Sequence, residues 1–455
     1  MANANNPQID PGGSLNSTDS GDGRTRIRRS AHRPTALRAA YGWMGRAHPS
    51  ASGVDMEQLP EPTPAHPVRV VVAGGGVAAL EATLALADLA GDRVTITLIA
   101  PDEEFASRPA AVLEPFGEGE QERFAVAEIA GEAGAEVHAA RLAWVDRSAR
   151  CAHTADHAAV GYDYLLLGLG ARADVVHEHA TTIAGIPGER SVHGLVTDID
   201  AGRVRRLALI VPGPGSWQMP LYELALLATA RARASGVALE VSMFTPESVP
   251  MQAFGDRAGA AAAELLRDRG ILLTCRVDCQ VPDPHTVRTD PVAGASTLWA
   301  TATAPARPAV DSGFDRVMTL PRLLGPHLRG VPCVSEGFIP VDVHGRIRGT
   351  RREFAAGDGT DCAVRHGGMA AQQADAAARS IAALAGAPVQ PSPARPVIHG
   401  LLATGEEPRY LSARIVGGHG LESELSRVPS WSPAEKLEAT YLAAALADLR
   451  ARARR

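Results

Sequence analysis

Two glycine turns stand far apart in this chain, each closing a short apolar run and each followed by a helical pattern. The first is Gly74-Gly75-Gly76, after Val68 to Ala73 and before Val77-Ala78-Ala79-Leu80-Glu81. The second is Gly357-Asp358-Gly359, after Glu353 to Ala356, and Gly367-Gly368-Met369-Ala370-Ala371-Gln372 opens the next helical stretch. A strand that runs through a glycine turn into a helix leaves unpaired N–H groups at the helix N-terminus, and these cradle a phosphate. In the first turn Gly74 and Gly76 let the backbone approach a pyrophosphate, and Ala79 stands where a small residue is needed for helix–strand packing. Two such turns predict one dinucleotide held from both sides. The expected ligand is FAD.

The elements around the first turn fit that chemistry. A helix over Leu80 to Ala90 and a second strand over Val94 to Ile99 close a βαβ unit. The acidic residue that usually meets the adenine ribose about 20 positions on is displaced here. The second strand ends at Ala100, and Asp102 and Glu103 follow Pro101, so either carboxylate, or backbone groups alone, would serve. A third turn lies mid-chain. Arg206 to Val211 reads as a strand of a parallel sheet, Leu221 to Ala234 as a helix, and Pro212-Gly213-Pro214-Gly215-Ser216-Trp217-Gln218 joins them. Gly213 and Gly215 could cradle a second pyrophosphate, although Gln218 replaces the third glycine. The next strand, Val237 to Phe244, leads to Glu247, which is placed to meet a nicotinamide-nucleotide ribose. Two readings stay open: NAD(P)H binds in this domain, or the domain keeps the Rossmann shape without the ligand.

Composition narrows the field. At 455 residues the chain has room for two or three domains, and a net charge of −6 gives no reason to expect nucleic acid. Lys436 is the sole lysine. That excludes a P-loop lysine and a Schiff-base lysine in the core, and leaves the chemistry to a cofactor, arginine, histidine or carboxylates. The five cysteines (Cys151, Cys275, Cys279, Cys333, Cys362) lack zinc spacing and any C-x-x-C, so they read as reduced thiols in a cytoplasmic setting, with no metal expected. No apolar run is long enough for a membrane span, and the N-terminus lacks the apolar core of a signal peptide. Residues 1–67, rich in Asn, Ser, Gly, Asp and Pro with a basic run (Arg24, Arg26, Arg28, Arg29), read as a disordered tail, with initiation near Met56 as the alternative.

The strand and turn at Gly74 to Gly76, the segment Tyr162-Asp163-Tyr164-Leu165-Leu166-Leu167-Gly168-Leu169-Gly170-Ala171, and Phe354-Ala355-Ala356-Gly357-Asp358 occur in a telling order. From Val68 to Tyr441 the chain resembles the FAD/NAD(P)-binding pyridine nucleotide–disulfide oxidoreductase superfamily. Phe105-Ala106-Ser107-Arg108-Pro109 and Gly367 to Ala374 look most like its type II NADH dehydrogenase and sulfide:quinone oxidoreductase branch. The resemblance implies an α/β fold with two Rossmann-like dinucleotide-binding domains. The FAD domain (68–191 and 309–390) is interrupted by an NAD(P)-type domain (192–308), and a C-terminal segment (391–455) follows.

Residue roles are implied in the same way. Asp358 resembles the carboxylate that approaches the ribityl chain or the pyrophosphate. Gly367 and Gly368 would begin the helix whose positive end faces the flavin pyrimidine. Arg108 would reach the isoalloxazine edge or stay on the surface beside its proline. Arg365 and His366 would tune the flavin potential or form a surface pair. No cysteine pair lies beside the predicted flavin, and Cys275 and Cys279 read as core packing. Ala371-Gln372-Gln373-Ala374-Asp375-Ala376 keeps half of a quinone signature and loses its last glutamine. The expected activity is hydride transfer from NAD(P)H through FAD to a quinone or another small electron acceptor. The alternatives are a flavin protein for sensing or assembly, and a sulfide-oxidising flavoprotein.

At the C-terminus Ser432-Pro433-Ala434-Glu435 predicts a capped helix start. The helix after it, with Leu442, Leu446 and Leu449 on one stripe and arginines at its end, would pack on the body, pair in a homodimer, or rest peripherally on the inner face of a membrane.

Overall fold

The computed structural model describes residues 66–106, 112–183, 185–213, 217–292, 311–395, 397–416 and 419–454. Most of the expected N-terminal tail, Arg108 and Gly215 lie outside these residues. In chain order the main elements begin with β1 (Val68–Ala73), α1 (Val77–Ala90), β2 (Val94–Ile99), α2 (Val126–Glu132), β3 (Glu136–His138) and β4 (Tyr164–Leu167). Next come β5 (Thr181–Thr182), α3 (Gly185–Asp200), β6 (Arg206–Ile210), α4 (Met219–Ala234), β7 (Glu240–Thr245), α5 (Gly255–Asp268), β8 (Leu272–Cys275) and β9 (Arg316–Thr319). The chain then adds β10 (Glu353–Ala355), α6 (Gly367–Leu384), β11 (Val397–Leu402), β12 (Arg409–Val416), β13 (His419–Ser426) and α7 (Tyr441–Ala453).

Two parallel sheets organise the molecule. The first runs β10-β4-β1-β2-β3 and the second β5-β9-β6-β7-β8. The central strands are nearly continuous apolar runs because helices or loops cover both faces: Val70 to Ala73, Leu165 to Leu167 and Leu207 to Ile210 are all buried. In the first sheet Val70 pairs with Ile96 on one side and Tyr164 on the other, so β1 is central. The strand that completes this sheet, β10, comes nearly two hundred residues after β4 and pairs Phe354 with Leu166. The strands of the second sheet therefore fall, in chain order, between β4 and β10 of the first. The second sheet reaches further than 192–308, drawing β5 and β9 from either side of those bounds.

Alanine sets the spacing around the first sheet. Ala78, Ala82 and Ala85 of α1 share one core with Ala370, Ala374, Ala377 and Ala378 of α6. Small side chains on both helices allow close approach, which brings their N-termini together at one end of the sheet. The antiparallel sheet β11-β12-β13 covers the second domain, putting Ile398, Leu402, Leu411 and Ile415 into a core with Leu221, Leu224 and Phe254.

The C-terminal helix packs on the body, with Leu442 and Leu446 buried in the core of the first domain. Its start differs from the sequence reading. Residues 432–440 form no helix, and α7 begins at Tyr441. The cap comes from across the fold: Glu81 of α1 accepts the N–H groups of Thr440 (2.7 Å), Tyr441 (3.0 Å) and Leu442 (2.5 Å). The local box loses because the preceding segment is held by distant partners, Lys436 on Glu223 and Glu438 on His399. Arg450 and Arg452 pair with Glu122 and Glu132. Among the described residues no helix is long and apolar enough to cross a membrane.

Candidate dinucleotide site

The carboxyl ends of β1, β4 and β10 carry the three turns that define the site. At the first, Gly74 has φ +131° and donates its N–H to the Ile99 carbonyl at 2.8 Å. A Cβ added there would lie 2.2 Å from the Gly168 carbonyl oxygen and 3.2 Å from the Ala79 Cβ. One added to Gly168 would lie 2.8 Å from the Ala79 nitrogen. Gly74, Gly168 and Ala79 thus form one buried contact that seats α1 on the sheet. Gly76 is different: it is exposed, and a Cβ there would meet nothing within 4 Å. No side chain caps α1, so its first-turn N–H groups face the open side of Gly76. The two fingerprint glycines divide the work, Gly74 for packing and Gly76 for approach.

The second turn meets the first directly. Gly357 has φ +84°, and a Cβ on it would sit 3.0 Å from that of Ala78 and 3.4 Å from that of Ala370. Its N–H donates to Oε1 of Gln373 at 2.7 Å, and its carbonyl accepts the Thr360 hydroxyl at 2.8 Å. Buried Gln373 is the residue the sequence reading missed. It stands inside the quoted Gln-Gln pair, and only the fold reveals that Gln373 faces the turn while Gln372 donates to the Val397 carbonyl at 2.7 Å. Asp358 is half-buried beside Gly357, and its charge acts on Arg365, whose guanidinium lies 4.0 Å from the Phe338 ring centroid. Burial pushes Arg365 below its usual range, and Asp358 opposes that shift.

Helix α6 starts at Gly367 and also has no side-chain cap. Its preceding residue, His366, is 8 % exposed, and burial drives its pKa down to about 4, against the pull of Glu438. The imidazole is therefore neutral at ordinary pH. Its ring lies 4.4 Å from Trp217, which belongs to the mid-chain turn and also stands 5.6 Å from Phe254. The turn of the second domain thus reaches the helix start of the first. Asp102 and Glu103 are exposed in the loop after β2.

In the second domain Gly213 has φ +139° with open space at its Cβ position. Glu247 is engaged within its own domain. One carboxylate oxygen accepts the Gln252 N–H at 2.8 Å, and the other accepts the hydroxyls of Thr245 at 3.1 Å and Tyr222 at 3.3 Å. Burial raises its pKa to about 7. The short loop after β7 folds Gln252 back onto this carboxylate.

The thiols fall into two settings. Cys333 is exposed and Cys362 is buried, with its thiol pushed up by burial; Cys275 and Cys279 are both driven up to about 12 by burial. Among the described residues no group of His, Cys, Asp or Glu is placed to hold a metal ion.

Two parallel sheets of this order, with glycine turns at the carboxyl ends of β1 and β10, give a fold of two Rossmann-like domains. By sequence the chain matches no protein-family model and none of the curated proteins. By structure it is similar to the sulfide:quinone oxidoreductase of the hyperthermophilic bacterium Aquifex aeolicus, at 19% identity and a TM-score of 0.68, covering 79% of this chain and 87% of that one. It is similar also to the ferredoxin reductase for the CYP199A2 system of Rhodopseudomonas palustris, at 17% identity and 0.55, covering 76% and 82%. A third is the NAD-dependent persulfide reductase of A. fulgidus, at 16% identity and 0.53, covering 76% and 64%.

Proposed function

We propose that the chain is an FAD-dependent oxidoreductase that takes hydride from NADH or NADPH and passes electrons to a small acceptor. The observation that carries this reading is the meeting of two helix starts without side-chain caps, α1 and α6, at the buried contact of Gly357 with Ala78 and Ala370. Two such positive ends favour a ligand that bears negative charge at two places. FAD fits: a pyrophosphate belongs at Gly76, and the flavin pyrimidine at Gly367 and Gly368.

When bound, FAD supplies the two-electron chemistry between donor and acceptor. The chain binds and orients it. Gly76 and the first turn of α1 hold the pyrophosphate, Asp358 stands at the ribityl side, and Gln373 fixes Gly357 between the helices. The start of α6 favours negative charge on the reduced cofactor by roughly 0.3–2 kcal/mol. Arg108 is assigned to the isoalloxazine edge. For the donor, Gly213 and Gly215 are assigned to a pyrophosphate; Glu247, engaged by Thr245, Tyr222 and Gln252, is left out of that assignment. The engagement of Glu247 favours one alternative at this site only, a second domain without nicotinamide and a flavin served by another reductant.

Denaturing the purified protein and identifying the released chromophore by mass spectrometry tests the reading. One FAD per chain is the expected outcome. A colourless protein that takes up no FAD on reconstitution would end it.

A further inference from the structure

Resting on the flavin reading, we infer that residues 427–440 are a strap that forms one wall of the cofactor site at the start of α6, is fastened by Lys436, and opens to let FAD in and out. The segment joins β13 to α7 and is neither helix nor strand. Trp431 stacks on His399 of β11 at 4.6 Å, with the rings 11° from parallel, and meets Tyr410 of β12 edge-on at 5.5 Å. Oε2 of Glu438 lies 2.6 Å from Nδ1 of the same His399. Lys436 reaches α4, where its Nζ lies 2.5 Å from Oε1 of Glu223. These anchors belong to the second domain and the sheet that covers it.

The remaining contacts are with the first domain. Leu437 is buried in its core, and a Cβ on Gly367 would lie 3.0 Å from the Leu437 Cδ1. A Cβ on Gly368 would stand 3.5 Å from the Glu438 carbonyl oxygen. The two glycines thus let the strap lie against the backbone of α6 at the position assigned above to the flavin pyrimidine. Thr440 closes the span, donating its N–H to Glu81 at 2.7 Å and its hydroxyl to Asp375 at 3.2 Å. Lys436 and Leu437 are consecutive, one fastened to the second domain and the other packed on α6. Neither lets go without moving the other.

An ion pair suits a fastening that is undone and remade. The Lys436 side chain is 16 % exposed and that of Glu223 3 %. Glu223 also accepts the Ala403 N–H at 3.0 Å, which holds the carboxylate in its own domain when the strap lifts. Taking two charges out of water offsets most of their mutual attraction, and opening returns the ammonium to water. The pair therefore fixes where the strap lies while adding little to the cost of opening it.

Lys436 is the sole lysine, so lysyl endopeptidase can cut the chain only at the Lys436–Leu437 bond, and the cut reports an open strap. Where reclosing is faster than cleavage, the rate of cutting follows the open fraction. Low urea should leave the rate for the apoprotein within about twofold, because a local opening exposes little surface. FAD at about a hundred times its Kd should slow the cut by roughly a hundredfold. Glu223→Gln weakens the fastening and leaves the protease site intact. It should speed both the cutting of the apoprotein and the release of FAD from the holoprotein by roughly tenfold. An apoprotein that resists the protease, cutting that rises with urea as steeply as global unfolding, cutting that bound FAD does not slow, or unchanged rates in Glu223→Gln overturns the strap alone. A protein that binds no FAD overturns the flavin reading, and the strap's role with it.

Discussion

The division of work between Gly74 and Gly76 makes a paired prediction. At Gly74 a side chain would enter at φ +131° and 2.2 Å from the Gly168 carbonyl oxygen, an overlap with backbone that no rotamer relieves. The disfavoured φ costs about 1–3 kcal/mol, and the overpacking adds about 1–3 kcal/mol. Gly74→Ala should therefore destabilise the apoprotein by about 4 kcal/mol, a fall in Tm of roughly 5 °C for a chain this large. At Gly76 the backbone is extended (φ −96°) and the Cβ position is empty, so Gly76→Val should leave apoprotein Tm nearly unchanged, a difference of about 0.5 kcal/mol at most. The same valine would occupy the approach to the α1 N-terminus and should cut FAD affinity by at least about a hundredfold, or 2.7 kcal/mol. Thermal unfolding of the apoproteins and titration with FAD, followed by quenching of its fluorescence, report the two effects separately. Unimpaired FAD binding in Gly76→Val, or an unshifted Tm in Gly74→Ala, would refute the assignment of packing to one glycine and approach to the other.

Three further outcomes are expected. Burial and the neighbouring Asp375 raise Glu81 to about 7 from an ordinary 4.5, so its contribution to stability is present below pH 4.5 and is lost as pH rises through about 7. The loss is about 3 kcal/mol at most, and Glu81→Gln should flatten the fall of Tm across that window, whereas an unaltered slope would contradict it. Lys436 lies 2.5 Å from Glu223, which is 3 % exposed on its side chain. Lys436→Met should cost about 3–5 kcal/mol by leaving that carboxylate unpaired; the double variant with Glu223→Gln should recover much of it in chemical denaturation, and additive losses would refute the pairing. Replacing Cys151, Cys275, Cys279 and Cys333 by serine and buried Cys362 by alanine should leave NAD(P)H oxidation within a few fold, and loss of flavin reoxidation from Cys333 or Cys362 alone would revive a sulfide-oxidising chemistry.

What the sequence reveals here is what depends on neighbours along the chain. Strand β2 spans Val94–Ile99, as read from its apolar run, and the glycine turns sit at strand ends because turn chemistry is local. The partners of those turns depend on topology. Gly168 touches Gly74, and Gln373 reaches back to Gly357, only once β4 and β10 lie beside β1. The cap of α7 was illegible for the same reason, since Glu81 stands 361 residues before Leu442 and no periodicity links them. Glu247 shows what spacing leaves out. Its position after a strand is right for a ribose, but Tyr222 and Gln252 occupy the carboxylate in a way spacing alone does not disclose.

The most direct measurement is anaerobic mixing of the holoprotein with NADH and, separately, NADPH, while the visible band of the bound flavin is recorded. The expected result is loss of that band with one of the two nucleotides at a rate that saturates with concentration. A band that dithionite bleaches but neither nucleotide changes would contradict hydride transfer from a nicotinamide donor.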